Sequence, residues 1–181
     1  GYFPALSLGW VISDENFFAS IGNALTFFKM RLSYGLVGNS EIGDYSYLST
    51  YATSTYNANT GLGLANVGDD KLGWETTSQL NVGISFELFQ GRISGEVDYY
   101  NKTTKDLLLP FPVSQMSGVS LVTKNAGTLT NKGYDMMLSS VNIDVNSFQW
   151  STSVTLNYNE NRVISLGDEL IENGISASQG L

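Results

Sequence analysis

Four carboxylates, Glu75, Glu87, Glu96 and Asp98, fall within one short stretch of the chain. General acid–base chemistry needs two carboxylates at a set separation, with pKa values driven apart by their surroundings. These four instead follow the two-residue period of a strand and share one polar face with Lys29, Arg31, Gln79 and Asn81, so we read them as a solvated wall and not as a catalytic pair. The sequence has no His and no Cys, which removes the commonest metal ligand, the usual neutral-pH proton shuttle and every thiolate site. Asp69-Asp70 and Asp168-Glu169 lack the spacing of a calcium loop. Gly61-Leu62-Gly63-Leu64 lacks the strand-to-helix setting of a dinucleotide site. No metal, no cofactor and no enzymatic activity is expected. The residues best suited to touching a ligand are the loop tyrosines Tyr45, Tyr47, Tyr51 and Tyr56, since a phenol offers a flat apolar face and a hydroxyl. Packing that holds a long loop together is the competing role for them, and is slightly favoured.

The elements that position these residues are long alternating strands. From Trp74 to Leu88 one face carries Trp74, Leu80, Val82, Ile84 and Phe86, and the other Glu75, Gln79, Asn81 and Glu87. Phe89-Gln90-Gly91-Arg92 makes a tight turn in which Gly91 supplies the positive φ. The return strand places Val97 and Tyr99 opposite Glu96 and Asp98. Residues 2–12 alternate likewise, with Trp10 on the apolar face. Ser13 is a weak candidate cap for a short helical turn after them. The period resumes over 27–37, where Leu32 and Tyr34 oppose Lys29 and Arg31. Residues 38–73 and 104–126 read as long loops, Pro110 and Pro112 interrupting any ladder in the second. Strands follow at 127–141, with Met137 an imperfection on its polar face, and at 148–158, with Trp150, Val154, Leu156 and Tyr158 on the apolar face; a polar turn at 142–147 joins them. Residues 160–181 read as a loop or a disordered end.

Three observations make this a membrane wall. Short and long connections alternate, the mark of outer-membrane barrels with short periplasmic turns and long extracellular loops. Aromatic residues stand at both strand ends: Tyr34, Trp74, Tyr99 and Tyr158 at the long-loop end, Trp10, Phe86 and Trp150 at the other, like the two interfacial girdles of a bilayer. The strands run to about 11–15 residues, against about 5–6 for ordinary ones. About ten residues tilted by about 45° span roughly 23 Å, close to the apolar band of such barrels. The expected fold is therefore all-β, an antiparallel up-and-down transmembrane β-barrel segment of about six long strands. A soluble sandwich, serving as a glycan-binding or surface-displayed module, is the alternative that alternation alone allows. A passive porin is a further one.

Composition agrees. Charged residues are 14% of the 181, well below the roughly 25% of soluble domains. The net charge of -8 argues against nucleic acid as a partner, because phosphates need a basic surface. No apolar run is long enough for a membrane-spanning helix. The chain starts in mid-pattern and is expected to be a piece of something longer.

With those strands laid out, the sequence resembles the barrel of SusC/RagA-type TonB-dependent transporters of the Bacteroidota outer membrane. Phe3-Pro4-Ala5-Leu6-Ser7-Leu8-Gly9-Trp10 is similar to one family strand, and Lys29-Met30-Arg31-Leu32-Ser33-Tyr34-Gly35 with Gly38-Asn39 and Ile42-Gly43 to the next. Trp74-Glu75-x-Thr77-x-Gln79-x-Asn81-x-Gly83 follows in order, then Asp98-Tyr99-Tyr100-Asn101-Lys102, Asn125-x-Gly127 and Asn131-Lys132-Gly133-Tyr134. It departs from the pattern at 67–73 and at Asp135, where Glu is usual. The resemblance implies that residues 1–181 are part of a roughly 22-stranded barrel, with the plug domain and TonB box lying elsewhere. It implies uptake of oligosaccharides or peptides driven by TonB-ExbB-ExbD, with a SusD-like surface lipoprotein as lid. Tyr45, Tyr47, Tyr51 and Tyr56, Ser117-Gly118 and Leu107–Leu109 are then candidates for meeting cargo or lid.

Overall fold

The computed structural model describes residues 1–18, 24–41, 45–56, 59–113, 118–119 and 121–166. Ten strands follow in chain order: β1 Ala5–Val11, β2 Leu25–Asn39, β3 Thr50–Tyr56, β4 Asn59–Asn66, β5 Glu75–Leu88, β6 Ile93–Lys105, β7 Leu108–Pro112, β8 Leu121–Asn125, β9 Thr128–Val145 and β10 Phe148–Ser165. Six of them make one antiparallel sheet in the order β1-β2-β5-β6-β9-β10. The other four form two separate hairpins, β3-β4 and β7-β8, inside the long connections.

The register confirms the alternation. One row across the sheet reads Leu8, Leu32, Val82, Tyr99, Tyr134, Tyr158, and the next reads Trp10, Met30, Ile84, Val97, Met136, Leu156. Between them, on the opposite face, lies Gly9, Arg31, Gly83, Asp98, Asp135, Asn157. Side chains at i and i+2 share a face, so two unlike surfaces follow from the sequence alone. Among the described residues no second layer covers the apolar face. Among the described residues only Phe18, Phe111 and Val122 are buried apolar side chains, and none of these belongs to the six-stranded sheet. A soluble sandwich would bury Leu32, Leu156 and Trp150; here all three are exposed. The sandwich reading is thereby corrected.

The aromatic border at the short-turn end crosses the register obliquely. Tyr34 is level with Leu80, one rung nearer the long loops than the Tyr99, Tyr134, Tyr158 row. At the other end Trp10 is level with Ile84, Phe28 and Phe86 lie one rung lower, and Trp150, level with Ile143, lies lower still. The border at the short-turn end drifts one way from β1 to β10. Strands tilted against a flat boundary would meet it at successively shifted rungs, which is the geometry of a barrel wall with shear.

Several boundaries differ from those read in the sequence. The stretches expected to be bare loops contain the hairpins β3-β4 and β7-β8. Pro110 and Pro112 lie within β7 and do not interrupt its ladder. The reason is parity: the Leu108 N–H donates away from β8, to Glu75 Oε1 at 2.8 Å, so the nitrogens of 110 and 112 also face away from the ladder and no bond is lost. β9 and β10 are both 18 residues long and meet at Asn146-Ser147, a much tighter turn than 142–147. Asn146 adopts φ 46, which Asn tolerates. Asn142 is absorbed as a bulge opposite the Trp150-Ser151 step. The strand β10 runs on to Ser165, so part of the expected tail is ladder; residues 167–181 lie outside the described ones. The short turn after Val11 is a 3-10 turn, Ile12–Asp14, without a side-chain cap, so Ser13 does not serve as one.

The β5-β6 turn carries positive φ at Gln90 and Gly91, with Arg92 N–H donating to the Phe89 carbonyl. That is the pair of left-handed residues a twisted hairpin needs. Phe89 is also left-handed, held by its N–H on the Ala24 carbonyl at 2.8 Å. The Gln90 N–H donates to Thr26 Oγ1 at 2.9 Å, so β2 anchors the turn.

Candidate functional site

Two regions collect polar groups: the polar face of the sheet and the bases of the long connections. On the polar face the register brings together every residue expected there. Lys29 is level with Ser85 and Glu96, Arg31 with Gly83 and Asp98, Asn81 with Ser33, Gln79 with Lys102, and Glu87 with Ser94. Arg31 is the centre. Its guanidinium donates to both Asp98 oxygens at 2.9 and 3.0 Å, to Ser85 Oγ at 3.1 Å and to Glu96. Gly83 makes room for this, since a Cβ there would overlap the Asp98 carboxylate. The Lys29 side chain instead lies along β1, its Cε 3.7 Å from the place a Cβ on Gly9 would take. Asp98 and Asp135 are directly opposed, a repulsive pairing. Arg31 offsets it on one side, and Asn157 Nδ2 donates to Asp135 Oδ1 at 2.7 Å on the other. Further cross-strand bonds link Asn81 to Ser33 at 3.0 Å, Thr77 to Thr104 at 2.8 Å and Ser139 to Ser153 at 3.0 Å. Met137 lies in this face opposite Glu96, as expected. The carboxylates are spread along a hydrogen-bonded wall that stays half-exposed, which suits solvent or a polar neighbour and not acid–base chemistry.

On the apolar face stand Trp10, Leu32, Tyr34, Leu80, Val82, Ile84, Phe86, Val97, Tyr99, Trp150, Val154, Leu156 and Tyr158. Trp10 directs its indole N–H to Glu15 Oε1 at 2.9 Å, with Phe17 edge-on to its ring. Trp74, just ahead of β5, stacks on Phe3 at 5.4 Å between centroids, and Gly38 leaves the gap that the Phe3 ring fills.

At the long-loop end the structure shows a clamp that alternation could not reveal. Asn125 Oδ1 accepts the Gly73 N–H, while its Nδ2 donates to the Gly73 carbonyl at 2.9 Å and to the Asp106 carbonyl at 2.8 Å. Glu75, expected simply on the polar wall, also takes the Leu108 N–H at 2.8 Å and the Asn39 Nδ2 at 3.0 Å. One Asn and one Glu thus tie the ends of β2, β6 and β8 to the start of β5. The signal was present as Asn39, Glu75 and Asn125 in the resemblance motifs, but no periodicity links positions so far apart. Beside the clamp opens a cleft of about 620 Å³. Phe111 and Val122 line it with Asp69, Asp70, Lys71 and Lys124. Lys124 Nζ stands 5.6 Å from the Phe111 ring centroid.

Tyr45, Tyr47 and Tyr51 are exposed. Hydrogen bonds in this connection run from Asn66 Nδ2 to the Ser46 and Leu48 carbonyls at 3.3 and 2.9 Å, and from Gly68 N–H to Ser49 Oγ at 3.1 Å. Tyr45 takes φ 62 at the start of a turn closed by Leu48 N–H on its carbonyl. The Tyr56 side chain, Ser117, Ile42-Gly43 and Asp168-Glu169 lie outside the described residues. Among the described residues no group of three potential ligands assembles for a metal ion.

A tilted antiparallel wall with one apolar and one polar face, aromatic borders and hairpin-bearing long loops defines an outer-membrane β-barrel segment. The chain belongs to the TonB dependent receptor-like, beta-barrel family, whose model matches residues 1–176. It is 41% identical over 170 residues to TonB-dependent receptor P39 of Formosa agariphila, covering 93% of this chain and 16% of that protein. It is 32% identical over 195 residues to TonB-dependent receptor SusC of Bacteroides thetaiotaomicron, covering 99% of this chain and 19% of SusC. Among solved structures it superposes on the RagAB peptide transporter with a TM-score of 0.81 and 30% identity, over 92% of this chain and 18% of that one. On RagAB in its closed-closed state the TM-score is 0.82. The chain therefore spans less than a fifth of the length of these relatives, and it is a piece of a SusC/RagA-type barrel of the bacterial outer membrane.

Proposed function

We propose that this chain forms part of the wall of a TonB-driven importer that carries oligosaccharides or peptides across the outer membrane, with a SusD-like lipoprotein closing its mouth. The observation that carries this reading is the pairing of two unlike faces on one sheet within a SusC/RagA-type barrel. The apolar face from Trp10 to Tyr158 meets lipid. The polar face of Lys29, Arg31, Glu75, Gln79, Asn81, Glu87, Glu96 and Asp98 meets the water-filled interior and the plug. The long connections are extracellular. There the exposed Tyr45, Tyr47 and Tyr51 and the cleft beside Phe111 offer apolar faces next to charge, a mixture suited to sugars or peptide side chains. Energy comes from TonB-ExbB-ExbD acting on the plug. RagAB, 30% identical over this region, is a peptide transporter, which supports peptides as one cargo class.

The test is uptake by cells bearing the complete protein, with labelled oligosaccharide and peptide pools, with and without TonB. The reading expects accumulation of one pool that is lost when TonB or the lipoprotein is deleted. Accumulation that persists without TonB would instead identify a passive porin.

A further inference from the structure

We infer that the apolar face carries a binding site for the phosphate-bearing headgroup of an outer-leaflet lipid, formed by Lys105, Lys132 and Arg162. The inference rests on the lipid-facing orientation just proposed. From β1 to β10, the register positions of the apolar face hold only four charged side chains among the described residues: Lys105, Lys132, Glu160 and Arg162. All four lie on β6, β9 and β10, and all lie beyond the Tyr99, Tyr134, Tyr158 row toward the long loops. An aromatic row of this kind marks the headgroup level; Lys132 and Glu160 stand one rung past it, Arg162 two and Lys105 three, on the side where phosphates lie.

Their sign runs against the rest of the molecule. The chain carries a net charge of -8, yet this patch holds three cations and one acid. Glu160 pairs with Lys132 at 3.2 Å and stands one rung from Arg162 on β10, so a single acid is set against three cations, and no acid occupies a face position beside Lys105. Asp106, next to Lys105 in the chain, follows the end of β6 in a left-handed turn and has no place on the sheet face. Lys132 is level with Glu160, and Arg162 with Thr130, so the two cations are diagonal neighbours on adjacent strands, about 7–8 Å apart by such geometry. Lys105 flanks them from the other side of β9, level with Thr128. Thr103 and Thr130 occupy the rung between and offer hydroxyls at the same height. A headgroup phosphate is the anion that both depth and charge select. Attraction of this kind is worth about 1 kcal/mol per Lys or Arg near the surface, or about five-fold in affinity.

The test uses the complete transporter in phosphatidylcholine nanodiscs doped with bisphosphorylated lipid A, with bound lipid A counted by native mass spectrometry. Replacing Lys105→Gln, Lys132→Gln and Arg162→Gln together should lower retention on the order of a hundred-fold. Lys102→Gln, on the polar face, should leave it unchanged, and phosphate-free lipid A should not be retained. A heat-modifiable gel shift confirms that each variant is folded. Equal retention by the triple variant, equal retention of phosphate-free lipid A, or displacement of lipid A by inorganic phosphate at equal concentration would each overturn the site. A separate arm protects the orientation: Leu156→Trp should be quenched by brominated acyl chains. Quenching without lipid A retention removes this site alone, whereas absence of quenching removes the orientation itself.

Discussion

At the scale of single residues, the polar face is organised by a guanidinium and a missing side chain. Gly83 is a glycine because Asp98 and Arg31 occupy the space a Cβ would need. Gly83→Ala should displace the Asp98 carboxylate and destabilise the folded barrel by about 1–3 kcal/mol. Adding Asp98→Ala should recover part of that loss, measured as a shift in the urea midpoint of refolding into lipid; no recovery would separate the glycine from the ion pair. The pair itself is half-exposed, with Arg31 at 37% and Asp98 at 36%, so solvent screens it. A double-mutant cycle of Arg31→Ala and Asp98→Ala should return a coupling of no more than about 1 kcal/mol. The opposite face obeys a different solvent. Val82→Arg should cost about 2–4 kcal/mol of folding into lipid, and Asn81→Arg much less, because adjacent residues on a strand meet opposite media. Equal costs would contradict the lipid-facing assignment.

At the scale of elements, the long connections are folded structures pinned at their base. Asn125 joins Gly73 and Asp106, and Glu75 joins Asn39 and Leu108. Asn125→Ala leaves the Gly73 carbonyl and N–H without these bonds, a cost of about 1–3 kcal/mol if they stay dry. Because the bonds tie β8 to the start of β5 and not strand to strand within the sheet, the effect should be local. Hydrogen exchange should quicken over 106–113 and 121–126 while β9 and β10 keep their protection; uniform loss of protection would show that the clamp supports the wall as a whole. The prolines of β7 illustrate why composition misleads here. A proline ends a ladder only where its nitrogen would have donated, and that depends on which neighbour pairs with the strand.

At the scale of the molecule, a six-stranded wall has two open edges, β1 and β10. In hydrocarbon each unpaired backbone group costs several kcal/mol. The 181-residue chain on its own should therefore fail to give a monodisperse, heat-modifiable species in detergent micelles, while the complete protein should succeed. A folded monomer of the isolated chain would mean that its edges find partners within the chain. The oblique drift of the aromatic border at the short-turn end also belongs to this scale, since it records strand tilt and needs several strands side by side to be seen.

The two faces, the hairpin at Phe89–Arg92 and the membrane-spanning class were legible in the residues alone, because a strand's period of two writes burial directly into local order. So were the family motifs. Left to the tertiary structure were the β3-β4 and β7-β8 hairpins, the choice of Asp98 and Glu96 as the acids that Arg31 holds, the Asn125 and Glu75 clamp, and the gathering of Lys105, Lys132 and Arg162 past one row of tyrosines. Each of these depends on register between strands far apart in sequence. Register is set by pairing across the sheet, and no local pattern of side chains encodes it.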